Sequence, residues 1–224
     1  MNSKKTSKSK YNLLYAQITD KTVNLFNRKI LRFGIYEHNK ILELINSSKK
    51  DVVVDYGCNT GYLSEMILDK YHSKVISADI NKDALLICKE KNLKTELINK
   101  AFFKKYNSKI DIVLCSHVLE HTKKPDLVLN KLFNLLKKNG KLVLVVPQER
   151  IRGDINPVQT LLFWLQFKFE NPHLHNFKWL QLSKMLKNLK FKINSHCFVN
   201  FIPPFITKER RFLARSLIIS AKKI

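Results

Sequence analysis

The sequence predicts an α/β protein built on a doubly wound, mostly parallel, seven-stranded sheet, with helices before it and a lid segment after its fifth strand. Three observations predict this. Short apolar runs recur at Asp51–Tyr56, Lys74–Ala78, Ile110–Cys115 and Lys141–Val146, and continuous apolar runs suit strands buried on both faces of a parallel sheet. Segments of helical periodicity separate these runs, the alternation expected of such a sheet. The residues just beyond several runs are Gly, Asp, Asn or His rather than apolar, as at a ligand-facing strand end.

Each element follows in order. Residues 1–10 (MNSKKTSKSK) are Ser/Lys-rich and expected to be a disordered basic tail. Two amphipathic helices are expected within Asn12–Phe33 and Tyr36–Ser47, the second with Ile41, Leu44 and Ile45 on one face. Together residues 11–50 read as a helical cap, and residues 51–224 as the main domain. Asp51–Tyr56 is the first strand, and Gly57 and Gly61 bracket a tight turn after it. Tyr62–Tyr71 reads as a helix with Leu63, Met66 and Ile67 inward. Lys74–Ala78 is the second strand and closes on Asp79. Asn81 is placed to cap the next helix, which turns Ala84, Leu85, Ile87 and Cys88 inward. A weaker strand lies near Thr95–Ile98, and Ile110–Cys115 is the fourth. A helix from Asp126 to Lys138 should stop at Asn139–Gly140. Lys141–Val146 is the fifth strand, ended by Pro147. Asn156 and Pro157 look like the start of a helix carrying the apolar Leu161–Phe169 stretch. Lys178–Leu189 is a further helix, and residues 148–190 form the expected lid. Phe191–Phe198 and Ser216–Ala221 are the last two strands.

Composition narrows the function classes. Only 5 Gly and 6 Pro among 224 residues exclude collagen-like and linker architectures. No apolar run approaches the roughly 20 residues that span a bilayer. No apolar stretch follows the basic residues to Lys10, so no signal peptide is expected. Cys58, Cys88, Cys115 and Cys197 form no CxxC pair and no zinc spacing, as expected of buried thiols in a reducing cytoplasm. The net charge is +23, from 41 basic and 18 acidic side chains. It sits in the flanks: 11 basic and 3 acidic in residues 1–50, 16 and 11 in 51–147, 14 and 4 in 148–224. Such charge admits nucleic acid, an anionic membrane surface or an anionic small substrate as partner. A composition rich in Lys, Asn and Ile supplies part of it without any partner.

Three strand ends carry the candidate chemistry. The first is Asp55-Tyr56-Gly57-Cys58-Asn59-Thr60-Gly61, where glycines let backbone turn sharply against a ligand. The second is Asp79, an acidic residue able to accept two ribose hydroxyls. The third is Ser116-His117-Val118-Leu119-Glu120-His121 after the fourth strand. The G-x-G-x-x-G fingerprint is absent, with Asn at position 59, and no G-x-x-x-x-G-K-[ST] occurs, so pyrophosphate and triphosphate cradles are disfavoured.

These three signals in this order resemble the class I S-adenosylmethionine-dependent methyltransferases, in the broad group called types 11 and 23. The resemblance covers residues 50–147, and the last two strands fit the family's closing antiparallel pair more loosely. It implies S-adenosylmethionine as cofactor, lined by Asp55, Gly57, Cys58, Asn59 and Gly61. It implies that Asp79 holds the ribose diol, that Ile80 flanks the adenine, and that Asn99 stands near the adenine amine. Ser116 and His117 would wall the cofactor, and Glu120 and His121 would face the substrate.

Methyl transfer from a sulfonium is an in-line displacement, so the protein mainly aligns the acceptor and excludes water. A hydroxyl or protonated amine also needs a base, and His121 or His175 is the candidate. His173, Arg150 and Arg152 are candidate substrate contacts, the two arginines by clamping a phosphate or carboxylate. No metal is expected, because His173 and His175 have no other convergent ligand in the sequence. The acceptor classes are a small molecule, sugar, glycan or lipid-linked intermediate first, and RNA second. No recognisable RNA-binding module supports the second.

Overall fold

The computed structural model describes residues 34–148, 173–200, 205–210 and 214–224. The helices expected within Asn12–Phe33 and from Asn156 through Leu161–Phe169, and the basic tail, lie outside the described residues. Helix α1 (Ile35–Ile45) leads into β1 (Val52–Tyr56), α2 (Tyr62–Tyr71), β2 (Lys74–Asp79), α3 (Lys82–Glu90), β3 (Thr95–Leu97), α4 (Lys100–Tyr106) and β4 (Ile110–Ser116). A 3-10 turn (Leu119–His121), α5 (Pro125–Leu135), β5 (Leu136–Pro147), α6 (Trp179–Asn188), β6 (Phe191–Asn200), β7 (Ile206–Thr207) and β8 (Ala214–Lys223) follow among the described residues.

The strands form one sheet in the order β3-β2-β1-β4-β5-β8-β6-β7. Strands β1 to β5 pair in parallel, while β8 runs antiparallel between β5 and β6. The order reverses between β1 and β4, so the crevice beyond their carboxyl ends is where such a sheet takes a ligand. Among the described residues eight strands stand where seven were expected. The added one is β7, which pairs Ile206 with Val199 and Thr207 with Phe198. Asn200 fastens it through Nδ2, which donates to Phe205 O at 3.2 Å and Thr207 Oγ1 at 3.1 Å.

Side chains alternate across the sheet with the period of two that a pleated strand imposes. On β5, Leu142, Leu144 and Val146 join one apolar layer with Phe102, Leu129, Leu132, Leu182 and Leu186 of α4, α5 and α6. Val143 and Val145 join the other, with Ile41, Leu42 and Ile45 of α1 and Ile67 of α2. Asn81 caps α3 as its sequence predicts, its side chain accepting from Asp83 N. Helix α5 stops earlier than Lys138. Leu136 leaves it to pair with Ile110, and Lys141 with Ile112, so the intervening residues take up a register shift with Asn139 at φ 67°. Among the described residues, no helix is long and apolar enough to cross a membrane.

Candidate functional site

The glycine turn is shaped by backbone geometry and by one carboxylate. Gly57 has φ +81°, and a Cβ there would meet Val118 Cγ2 at 2.4 Å. Gly61 has φ +80°, and its Cβ would meet Leu93 Cδ1 at 2.5 Å. Both are left-handed backbone that glycine adopts without strain. Gly57 N and Cys58 N donate to Ala78 O at 2.7 and 3.1 Å, drawing the turn over the end of β2. Asp79 then holds it: Oδ2 accepts from Asn59 N at 2.9 Å and Oδ1 from Asn81 N at 2.8 Å. Each carboxylate oxygen has a second lone pair, so Asp79 can still accept a vicinal diol. Ile80 follows it 76% exposed, a free apolar face beside that diol position.

Asp55 sits beneath the turn, 2% exposed, and accepts from Ser64 Oγ at 2.7 Å. Burial pushes its carboxyl up to about 6, the Ser64 hydrogen bond opposes this, and the Asp79 charge adds to it. Cys58 is buried, its Sγ 4.0 Å from Cys88 Sγ, so its backbone rather than its thiol borders the turn. Cys88 Sγ donates to Asn59 O at 3.2 Å. Asn99 lies two residues beyond β3 and caps α4, with Oδ1 accepting from Phe102 N at 3.0 Å.

The end of β4 forms the opposite wall. Ser116 is half-buried, and His117 N donates to Val145 O at 3.0 Å with His117 at φ 54°. The His117 ring lies between two carboxylates, with Nε2 3.2 Å from Glu37 Oε1 and Nδ1 3.4 Å from Glu120 Oε1. Glu37 reaches in from α1, and Ser216 Oγ of β8 donates to its Oε2. Burial alone would disfavour the charged imidazole, but Glu37 and Glu120 prevail and raise His117 to about 10. Glu37 shifts the other way: burial would raise it, yet His117, Arg215 and Ser216 hold it well below the usual carboxylate range. His117 is therefore an imidazolium braced by α1 and β8, besides bordering the crevice. Sequence reasoning missed Glu37, although it shares the i, i+4, i+8 face of α1 with the buried Ile41 and Ile45. An acid on an apolar helix face was the available signal.

Glu120 is fully buried and His121 is exposed on the 3-10 turn. The loop carrying His173 and His175 hangs on that turn, because Leu174 N and His175 N donate to Glu120 O at 2.7 and 3.3 Å. It brings the His173 ring edge-to-face with His121 at 4.8 Å between centroids. His175 packs on Phe177 instead, at 5.5 Å. Gln148, also buried, donates from Nε2 to Phe177 O at 2.8 Å and ties the loop's far end to β5. Arg150 and Arg152 lie outside the described residues. The crevice thus combines a diol acceptor, an apolar flank and a glycine turn on one side with imidazoles on the other. That set can hold a nucleoside-bearing ligand and an acceptor beside it.

Residues 26–196 match the family described as a methyltransferase domain. Among curated proteins, the chain is 33% identical over 105 residues to the tRNA U34 carboxymethyltransferase of Helicobacter pylori, covering 43% of this chain and 40% of that protein. It is 29% identical over 143 residues to the ubiquinone biosynthesis O-methyltransferase of Glaesserella parasuis, covering 59% of this chain and 50% of that one. The matches thus span half or less of these two relatives' lengths. A solved S-adenosylmethionine-dependent methyltransferase from Archaeoglobus fulgidus superposes with a TM-score of 0.60 at 18% identity, over 89% of this chain and 98% of that one. At that identity the likeness speaks for the fold.

Proposed function

The chain belongs to the S-adenosylmethionine-dependent methyltransferase family, and from that premise we propose that it transfers a methyl group to oxygen or nitrogen of a compact, anionic acceptor. The acceptor class is a small molecule, a sugar or glycan, or a lipid-linked intermediate, met in the cytoplasm or at the inner face of a membrane. S-adenosylmethionine supplies an activated methyl group on a sulfonium. The residues of this chain do the rest. Asp79 takes the ribose diol, Ile80 covers the adenine and Asn99 borders it. Gly57, Asn59 and Gly61 keep side chains out of the path of the methionine portion. Asp55 and the Cys58 backbone support them from below, and Ser116 and His117 close the opposite side.

The observation that carries the acceptor reading is the wall made by the Leu119–His121 turn and the His173–His175 loop, hydrogen-bonded together through Glu120 O. Glu120, His121 and His173 gather in it, and Val118 of the same segment lies where a Gly57 Cβ would stand, which supports an acceptor gripped by local side chains. His121 or His175 takes the acceptor's proton, and Arg150 and Arg152 clamp its negative charge.

A second reading, methylation of RNA, draws on the +23 charge concentrated in the flanks and on the tRNA-modifying relative. Methyl-labelled cofactor incubated with the protein and a fractionated extract of its own cells separates the two. Label in nuclease-resistant glycan, lipid or small-molecule fractions supports the first reading. Label lost on RNase treatment replaces it with the second.

A further inference from the structure

Glu120, His121 and His173 each present one ligand atom, and all three atoms lie within 4.8 Å of one another. The fold enforces this meeting of two distant segments. The turn is fixed by Thr122, whose N and Oγ1 donate to Leu119 O at 3.1 and 2.9 Å. The loop bearing His173 is hung on the backbone carbonyl of Glu120 itself.

Glu120 is the informative member. Its side chain is 0% exposed, and neither carboxylate oxygen accepts a hydrogen bond from a described residue. Its ion-pair contact is His117 Nδ1, 3.4 Å from Oε1. A buried carboxylate normally accepts several hydrogen bonds, and one left short of them is costly. A bound cation offsets that cost. Two imidazoles and one carboxylate suit a borderline first-row divalent ion, and three protein ligands leave a position open. Around an ion held at about 2.0–2.2 Å, ligand atoms stand roughly 3–4 Å apart, so closure needs only small side-chain rotations.

We propose that Glu120, His121 and His173 bind one divalent cation of the zinc or manganese class, and that its open position takes the hydroxyl oxygen of the acceptor. The second half rests on the methyltransferase reading and narrows it to an oxygen nucleophile. The ion lies on the acceptor side of the glycine turn, since the same segment brings Val118 against Gly57. A Lewis acid there lowers the pKa of the bound hydroxyl. The hydroxyl proton is released to bulk water. The oxygen–methyl carbon bond forms as the methyl carbon–sulfur bond breaks, and the electron pair stays on sulfur. His121 is then a ligand rather than the proton acceptor.

The test is a titration of tag-free, chelator-stripped full chain with Co2+, read by visible ligand-field absorption, with S-adenosylmethionine binding measured in parallel. The expected result is one Co2+ per chain, bound at least about tenfold more weakly in His121→Ala and in His173→Ala, a loss that even outer-shell changes produce. Glu120→Gln should behave likewise. If that buried substitution unfolds the chain, the two histidine variants alone decide the outcome. Absence of Co2+ absorption, or unchanged affinity in both histidine variants, overturns the site. Cofactor binding without Co2+ binding sinks the metal site and spares the methyltransferase reading. Co2+ held through these three residues with no cofactor binding does the reverse.

Discussion

Replacing Gly57 by Ala puts two separable strains on the turn. At φ +81° an L-residue costs about 1–2 kcal/mol. The new methyl would also meet Val118 Cγ2 at 2.4 Å. Val118 is β-branched and stiff at χ1. Its segment is tied by His117 N to Val145 O at 3.0 Å and by His121 N to Val118 O at 3.1 Å. Relieving such overpacking costs about 1–3 kcal/mol more. The total, about 2–5 kcal/mol, should lower Tm by roughly 4–20 °C for a domain of this size. Urea unfolding of Gly57→Ala, Val118→Ala and the double variant separates the two strains. The double variant should recover the steric part and retain the conformational part, a favourable coupling of roughly 1–3 kcal/mol. Strict additivity would refute the contact with Val118, and a Gly57→Ala loss below about 0.5 kcal/mol would refute the turn's backbone conformation.

Asp55→Asn should gain stability over the natural chain as pH rises. The buried carboxyl titrates at about 6 against an ordinary 3.8, so its protonated form's contribution, about 3 kcal/mol, is full below 3.8 and lost as pH rises through 6. A stability difference that stays flat across that window contradicts the burial of Asp55. Glu37→Gln leaves His117 without its principal counter-charge, and since His117 is 36% exposed the loss should be about 2–4 kcal/mol, below that of a fully buried pair. Denaturant midpoints read it, and no measurable loss would mean α1 is not anchored through that pair. All four cysteines are buried, so a thiol reagent should react slowly with native protein and with all four sites once urea unfolds it. Rapid labelling of one site in the native chain would show the packing around that thiol to be wrong.

The parallel sheet was legible because its central strands are continuous Val/Ile/Leu runs, and the glycine turn because its signal is local. Helix α4 was not. Its seven residues, Lys100–Tyr106, give barely two turns of periodicity, although Asn99 just before them is a good capping residue. Strand β7 is two residues long and exists only through pairing with β6. Leu136–Lys138 are good helix formers by propensity, yet the pairing of Leu136 with Ile110 claims them for β5. At the site, Asp55, the glycines and Asp79 lie within one short stretch and could be read together. The bracing of His117 by Glu37 spans 80 residues, and that of Glu37 by Ser216 spans 179. No local pattern announces such pairs. The same distance hid the meeting of His173 with Glu120 and His121, which is why no metal was expected.

The most direct test of the account is calorimetric titration of S-adenosylmethionine into the full chain and into Asp79→Ala, with the exposed Asp69→Ala as control. The account predicts one cofactor per chain for the natural protein and for the control. It predicts at least roughly hundredfold weaker binding in Asp79→Ala, since each hydrogen bond to a charged acceptor is worth about 1.5–3 kcal/mol and the ribose diol would lose two. Circular dichroism would establish that the variant remains folded. Equal affinity in a folded Asp79→Ala, or no binding to the natural chain, would contradict the assignment of the crevice between β1 and β4 as the cofactor site.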